Sequence, residues 1–200
     1  MRSETDESIA AKNDISVDKL KQKVKDINQK LLAERSKRIR PGLDDKSLTS
    51  WNALMLTAYV DAYQAFGEEL FLEAALRNAK WLIKNQIKPD GSILHTYKKG
   101  ESKIPGFLED YCFTIQAFIK LYEVTFDEKW LQDAGIMIAH VTEHFYDEKS
   151  GMFFFSSDLE KSLIARKMDI SDNVIPSTNS AMANVLYKYG TLIDSEEYKT

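Results

Sequence analysis

Apolar residues along this chain come in blocks of two kinds, and the blocks alternate. From about Trp51 to Phe66 the sequence is apolar nearly all round, with Ala53, Leu54, Met55, Leu56, Ala58, Tyr59, Val60, Ala62 and Tyr63. That pattern predicts a helix buried on several sides, ended by Gly67. From about Glu69 to Gln86 the pattern is two-faced. Leu70, Phe71, Ala74, Ala75, Ala79, Leu82 and Ile83 form one stripe, while Glu73, Arg77, Asn78, Lys80 and Lys84 form the other. The alternation then recurs. A buried helix is predicted from about Phe107 to Thr125. An amphipathic one carrying Trp130, Leu131, Ala134, Ile138 and Val141 starts at Asp127. A third buried helix runs from about Ser177 to Ile193, with Ser195-Glu196-Glu197-Tyr198 opening its partner. Between hairpins, Lys88-Pro89-Asp90-Gly91 and Tyr146 to Gly151 read as turns leading into short strands at 92–97 and 152–155.

The turns inside the hairpins align residue by residue. Phe66-Gly67-Glu68-Glu69-Leu70 matches Thr125-Phe126-Asp127-Glu128-Lys129, and Leu192-Ile193-Asp194-Ser195 begins in the same way. The repeat is on the order of 60 residues, longer than most solenoid units, because each connection carries a strand-like excursion. Buried helices wrapped by half-buried ones predict an all-α fold of helical-hairpin repeats, a partial α/α toroid with short β excursions. About two and a half hairpins are visible, so the chain reads as part of a larger ring. Exposed inner-helix surface then predicts self-association. Ahead of the repeats, residues 1–15 are polar and expected to fray. Ser16 can cap a helix to about Arg38 with a narrow stripe of Val17, Leu20, Val24, Ile27 and Leu31. The toroid domain is taken as 16–200. Pro41-Gly42 breaks that leading helix, and Thr49 or Ser50 is expected to cap the next one.

Composition narrows the function classes. The chain has 200 residues, 44% hydrophobic and 29% charged, with a formal net charge of -4. An acidic balance argues against nucleic acid, whose phosphates call for a basic excess. No stretch approaches the roughly 18 apolar residues of a membrane span, and the polar start lacks a signal-peptide core. Cys112 is the single cysteine. No intrachain disulfide is therefore available, and a reducing, cytoplasmic-type compartment is expected. Its setting in Tyr111-Cys112-Phe113 reads as a buried hydrophobe. With no CxxC and no metal-ligand cluster, neither cofactor nor metal is expected.

Chemistry-capable residues collect at the starts of the buried helices. If those helices run parallel, their N-termini share one mouth, where free N–H groups and the helix dipole favour a polar ligand. Carboxylates there suit acid/base work on a sugar. Glu109, Asp110 and Asp45 are the candidate catalytic groups. Arg40, Asp44, Trp51, Asn52, Tyr111, Asp169, Asp172, Ser177 and Asn179 are candidates for substrate contact, the aromatic rings by stacking and the amides by hydrogen bonding. Tyr97 could also stack. Glu109-Asp110, flanked by Leu108 and Tyr111, carries the strongest signal, because burial would raise a carboxyl pKa there and fit it as an acid. The same residues also read as ordinary helix caps, and Asp45 with Lys46 or Arg40 with Asp44 as structural ion pairs. His95 could reach the mouth as a proton shuttle but fits a surface strand. His140 and His144 read as a solvated outer face.

Taken together, Arg40-Pro41, Asp44-Asp45-Lys46-Ser47-Leu48-Thr49-Ser50-Trp51-Asn52, Gly106-Phe107-Leu108-Glu109-Asp110-Tyr111 and Pro176-Ser177-Thr178-Asn179-Ser180 resemble the helical region of the spermatogenesis-associated protein 20 family. The resemblance covers about residues 14–200. That helical region is similar to six-hairpin glycosidases and N-acylglucosamine 2-epimerases. The resemblance implies a thioredoxin-like domain elsewhere in the parent chain and a carbohydrate-active fold with a small-molecule sugar as ligand. It is equally consistent with a non-catalytic helical domain that binds a sugar, peptide or partner and serves a redox protein. The epimerase relatives use paired ring histidines, whereas none of His95, His140 and His144 opens an inner helix here.

Overall fold

The computed structural model describes residues 4–160 and 165–199, in two compact units, 1–44 and 45–200. In the first unit, helix α1 spans Asp6–Lys12 and helix α2 spans Val17–Ser36. The expected fraying of residues 1–15 gives way to a helical turn. Thr5 Oγ1 accepts the Ser8 N–H, Asp6 and Glu7 sit in the first turn, and Lys12 sits in the last. Capping and dipole complementarity thus form a short helix that apolar patterning does not signal. Ser16 caps α2 as anticipated, its Oγ accepting from the Lys19 N–H at 3.2 Å. Ile27 and Leu31 on its apolar stripe are exposed.

The second unit is built of hairpins. Helix α3 (Thr49–Phe66) packs on α4 (Glu69–Asn85), α5 (Leu108–Thr125) on α6 (Lys129–Phe145), and α7 (Thr178–Leu192) on a 3-10 turn at Glu196–Tyr198. Helix α5 also packs on α3 and α7, which explains why apolar residues lie on most of its faces. Phe113, Ile115, Phe118, Ile119 and Leu121 are all buried. Helices α3 and α5 run parallel and in register. Ser50, the second residue of α3, meets Asp110, the third of α5, and eleven and ten residues further on Asp61 pairs with Lys120. The first two hairpin turns repeat in conformation as well as in sequence, with Gly67 and Phe126 capping α3 and α5 at φ 70° and 55°; after α7 the cap Ile193 is at φ -97° and the left-handed residue is the next one, Asp194, at 53°. The left-handed cap is kept even where the side chain is not glycine, and it satisfies the last carbonyls of the preceding helix.

Short strands fill the connections between hairpins. β1 (Ser47–Leu48), β2 (Leu94–Lys98) and β3 (Glu101–Pro105) form an antiparallel sheet in that order, with Leu48 opposite Thr96 and Thr96 opposite Lys103. β4 (Tyr146–Asp147) pairs with β5 (Met152–Phe153). β3 lies in a stretch where the sequence pattern signals no strand. Lys99 and Gly100, at φ 52° and 86°, form the two-residue turn that returns the chain on β2.

Candidate active site

Asp110 is the centre of the site. It occupies the third position of α5, where a side chain turns back toward its own helix start, and its Oδ2 accepts the Phe107 N–H at 2.9 Å. Its Oδ1 accepts the Ser50 N–H of α3 at 2.9 Å. Neither Thr49 nor Ser50 caps α3 with its own side chain, since Leu48 holds the cap position without a side-chain bond. The cap is delivered in trans by the next hairpin. Thr49 Oγ1 instead donates to the Leu94 carbonyl and accepts from Gln86 Nε2, tying α3 to β2 and the end of α4.

A third donor reaches Asp110 from β2, where His95 Nδ1 lies 2.8 Å from Oδ2. An ionised carboxylate only accepts, so the proton sits on Nδ1 and the imidazole presents Nε2 away from Asp110. Rather than a surface histidine, His95 is 15% exposed at its side chain and packs edge-on against Phe107 at 4.9 Å. The bond to Asp110 raises the His95 pKa above its ordinary value against the opposing effect of burial. Glu109, one residue earlier on α5, is half-buried, with Ser50 Oγ 3.4 Å from its Oε1. Burial, and then the neighbouring charge of Asp110, push its carboxyl above the usual carboxylate range.

His95, Glu109 and Asp110 each offer a ligand atom within 4.8 Å of the others. His95 and Asp110 are hydrogen-bonded to each other, the Asp110 oxygens also hold two backbone N–H groups, and Glu109 beside them is bonded to Ser50. The arrangement sets an oriented imidazole and a half-buried carboxyl of raised pKa side by side at a helix mouth.

The third buried helix opens on the same side. The Leu108 N–H at the start of α5 donates to the Phe155 carbonyl, and Phe153 is bound in both directions by the Asn179 amide of α7. Trp51 is 68% exposed next to the Ser50 contact. Several other expected contact residues are engaged in structure. Tyr111 is 2% exposed, its hydroxyl accepting the Ile93 N–H and its ring stacked on His140, so it has no face to offer a ligand. The Asn52 amide donates to the Leu48 carbonyl, and Asn179 is closed on Phe153 and the Asp169 carbonyl. Ser177 caps α7, while Asp172 and Asp169 accept the Ser177 and Thr178 N–H groups. Asp45 pairs with Lys98 of β2. Arg40 and Asp44 belong to the first unit, in its irregular stretch after α2. Tyr97 is set edge-on to Trp81. His140 departs from the solvated reading, being buried against Tyr111, while His144 bonds Asp158 at 3.0 Å.

No family model matches the chain. Among solved structures, the chain is similar to a GH76 α-mannanase of Bacteroides thetaiotaomicron, with a TM-score of 0.63, 16% identity, and coverage of 81% of this chain and 42% of that one. It is similar to cellobiose 2-epimerase of Bacillus thermoamylovorans at a TM-score of 0.62 and 15% identity, covering 76% and 41%. Parallel buried helices wrapped by half-buried ones, with these neighbours, define the fold as an α/α toroid of the six-hairpin glycosidase and epimerase class. More narrowly, the chain is a homologue of the spermatogenesis-associated protein 20 family. It is 31% identical to the human protein over 170 residues, covering 80% of this chain and 22% of that protein. It is also 28% identical over 203 residues to a Caenorhabditis elegans protein, covering 98% and 27%. The chain thus spans about a quarter of the length of the curated relatives it matches.

Proposed function

We propose that this chain supplies the acid/base centre of an enzyme acting on a sugar, with Glu109 and His95 exchanging protons with the substrate and Asp110 positioning His95. The observation that carries the reading is the pairing of a half-buried carboxyl of raised pKa with a half-buried imidazole fixed by a buried aspartate. A base held in one tautomer by a third group is the arrangement acid/base catalysis requires. Trp51, exposed beside this site, is the surface on which a sugar ring would stack. The toroid neighbours act on mannan, cellobiose and mannose by their names, and these sugars are the first to try. A thioredoxin-like domain in the parent protein and a cytoplasmic setting belong to the same proposal.

Glu109→Gln and His95→Asn should each reduce turnover by about 10²- to 10⁴-fold, the usual worth of a positioned proton-transfer group, with melting temperatures close to wild type. Sugar turnover that survives both substitutions would remove the proposal. A second reading, a sugar- or partner-binding module without catalysis, is favoured by the saturation of Asp110 with three donors, which is sufficient structural reason for its presence. It requires that a sugar binds and that Glu109→Gln leaves its affinity unchanged while no turnover is found.

A further inference from the structure

Helix α2 repeats its apolar residues at intervals of three and four. Val17, Leu20, Val24, Ile27 and Leu31 fall on positions a and d of successive heptads. That spacing makes a narrow seam of the kind a second helix covers, not the broader apolar face of a helix set into a core. Helix α1 packs on α2. Val17, Leu20 and Val24 are half-buried, whereas Ile27 and Leu31 are 54% and 62% exposed, as is the adjacent Leu32 at 61%. No residue of α2 is fully buried. A groove of about 400 Å³ lies on this unit, and its lining includes Leu20, Val24 and Leu32 together with Lys21, Lys25 and Asp6 of α1.

The flanks of the seam are of one sign. Its e and g neighbours within α2 are Lys21, Lys23, Asn28, Lys30 and Arg35, four cations and an amide. The acids of the helix lie elsewhere. Asp18 and Asp26 fall on b and c, and the Asp26 carboxylate accepts from the Gln22 amide; Glu34, where the seam ends, pairs with Lys37. We propose that α2 docks an amphipathic helix of a partner protein, one with an apolar seam of its own flanked by Glu or Asp. Charge decides the occupant. A second copy would meet repulsion: in a parallel pair each g faces the partner's next e, setting Lys30 against Arg35, and in an antiparallel pair e faces e and g faces g, cation on cation. An acidic flank turns each of those contacts into an attraction. An anionic membrane fits less well, because the seam carries no aromatic ring and Asp18 and Asp26 occupy the polar faces.

The test is fluorescence anisotropy of the full 200-residue chain with two labelled synthetic helices of about three heptads. Both carry Ile at a and Leu at d; one has Glu at every e and g, the other Lys. A scrambled form of the Glu peptide controls for charge alone. The Glu-flanked helix should bind at least about tenfold more tightly than either other peptide, since several modest charge pairs add up to that. The preference should shrink in about 0.5 M NaCl. Ile27→Asn combined with Leu31→Asn should weaken binding at least about tenfold by removing the seam. Lys23→Glu combined with Lys30→Glu should reverse the choice between the two helices. Circular dichroism and melting temperatures close to wild type check that both variants fold. Equal affinity for the two helices, equal affinity for the scrambled peptide, or no binding at about 100 μM peptide would overturn the proposal. So would sedimentation showing that the chain alone forms a dimer lost in the Ile27→Asn, Leu31→Asn variant, which makes a second copy the occupant. Seam-dependent capture on phosphatidylglycerol vesicles, with neither helix bound, would overturn it in favour of a membrane.

Discussion

Replacing Asp110 gives the sharpest test of the architecture. In Asp110→Ala three hydrogen bonds disappear at once. The Ser50 N–H, in a residue 1% exposed, is left buried and unpaired, at about 1–3 kcal/mol. The Phe107 N–H is part-buried and recovers some solvation, so it adds about 1 kcal/mol. His95 loses its partner while still 85% covered, and a cavity remains. Relief of the desolvated carboxylate offsets part of this, and the net loss is about 3 kcal/mol. For a chain of this length that lowers the melting temperature by about 6–12 °C. Asp110→Asn does not rescue it. Oδ1 and Oδ2 each face a backbone N–H, so whichever way the amide turns, its NH₂ meets a donor. Calorimetry should show both variants destabilised, with Asp110→Ala worse. Hydrogen exchange should show the amides of Ser50 and Phe107 losing protection ahead of the rest of α3 and α5. An Asp110→Ala protein melting within about 2 °C of wild type would refute the trans-cap as a source of stability.

The remaining predictions rest on single features. Glu109 and His95 both have folded-state pKa values above their ordinary ones. Each therefore contributes stability that is complete below its ordinary value, 4.5 or 6.5, and is lost as pH climbs through the raised value. The urea midpoint should fall from mildly acidic to neutral pH, and Glu109→Gln should flatten the lower part of that fall and His95→Gln the upper. Gly91 has φ +82°, and a Cβ there would lie 2.6 Å from the Ile136 carbonyl oxygen. Gly91→Ala should cost at least about 2 kcal/mol, while Gly67→Ala, at φ +70° with open space around it, should cost about 1 kcal/mol. Both are read from thermal melts. Cys112 is fully buried, and burial pushes its thiol far up. A disulfide reagent should label it at the rate of unfolding and immediately in denaturant.

The hairpins were legible in the sequence because inner and outer helices solve different packing problems. An inner helix such as α5 touches neighbours on most sides and must be apolar all round, whereas α4 and α6 keep a wet face. The repeated turn was visible even though the left-handed cap falls on Gly67 and then on Phe126, because the surrounding pattern is retained. Contacts between distant segments were not legible. Nothing local to Thr49-Ser50 says that its cap comes sixty residues later from Asp110, and a serine at a helix start reads as its own cap. β3 was hidden by Pro105 and by alternating charges, which mimic a loop. His140 was misplaced because the exposed Thr142 and Glu143 that follow it mark a wet face, while its own ring faces Tyr111 and lies inside. His95 belongs to a five-residue strand whose pairing partners, and hence its orientation, are set by β1 and β3.

The acidic clusters at the helix mouths divide by what their oxygens touch. An inner helix ends in free N–H groups, and a ring of such helices sets several of these ends close together. Carboxylates from neighbouring segments answer them: Asp110 for α3 and α5, and Asp169 and Asp172 for α7. A carboxylate bonded to N–H groups or to a cation favours its charged form. Accordingly the Ser177 N–H holds Asp172 below the usual carboxylate range, and Lys98 holds Asp45 there. Such groups do not hold a proton to give. Glu109 moves the other way, and the reason is helical geometry. It stands at the second position of α5 and Asp110 at the third, about 100° further round the helix. That rotation turns Asp110 onto the backbone of two helix starts and leaves Glu109 half-buried with only a long contact from Ser50. Adjacent in sequence and alike in chemistry, the two acids differ in setting: Asp110 ties two helix starts together, while Glu109 keeps a half-buried carboxyl whose pKa burial raises.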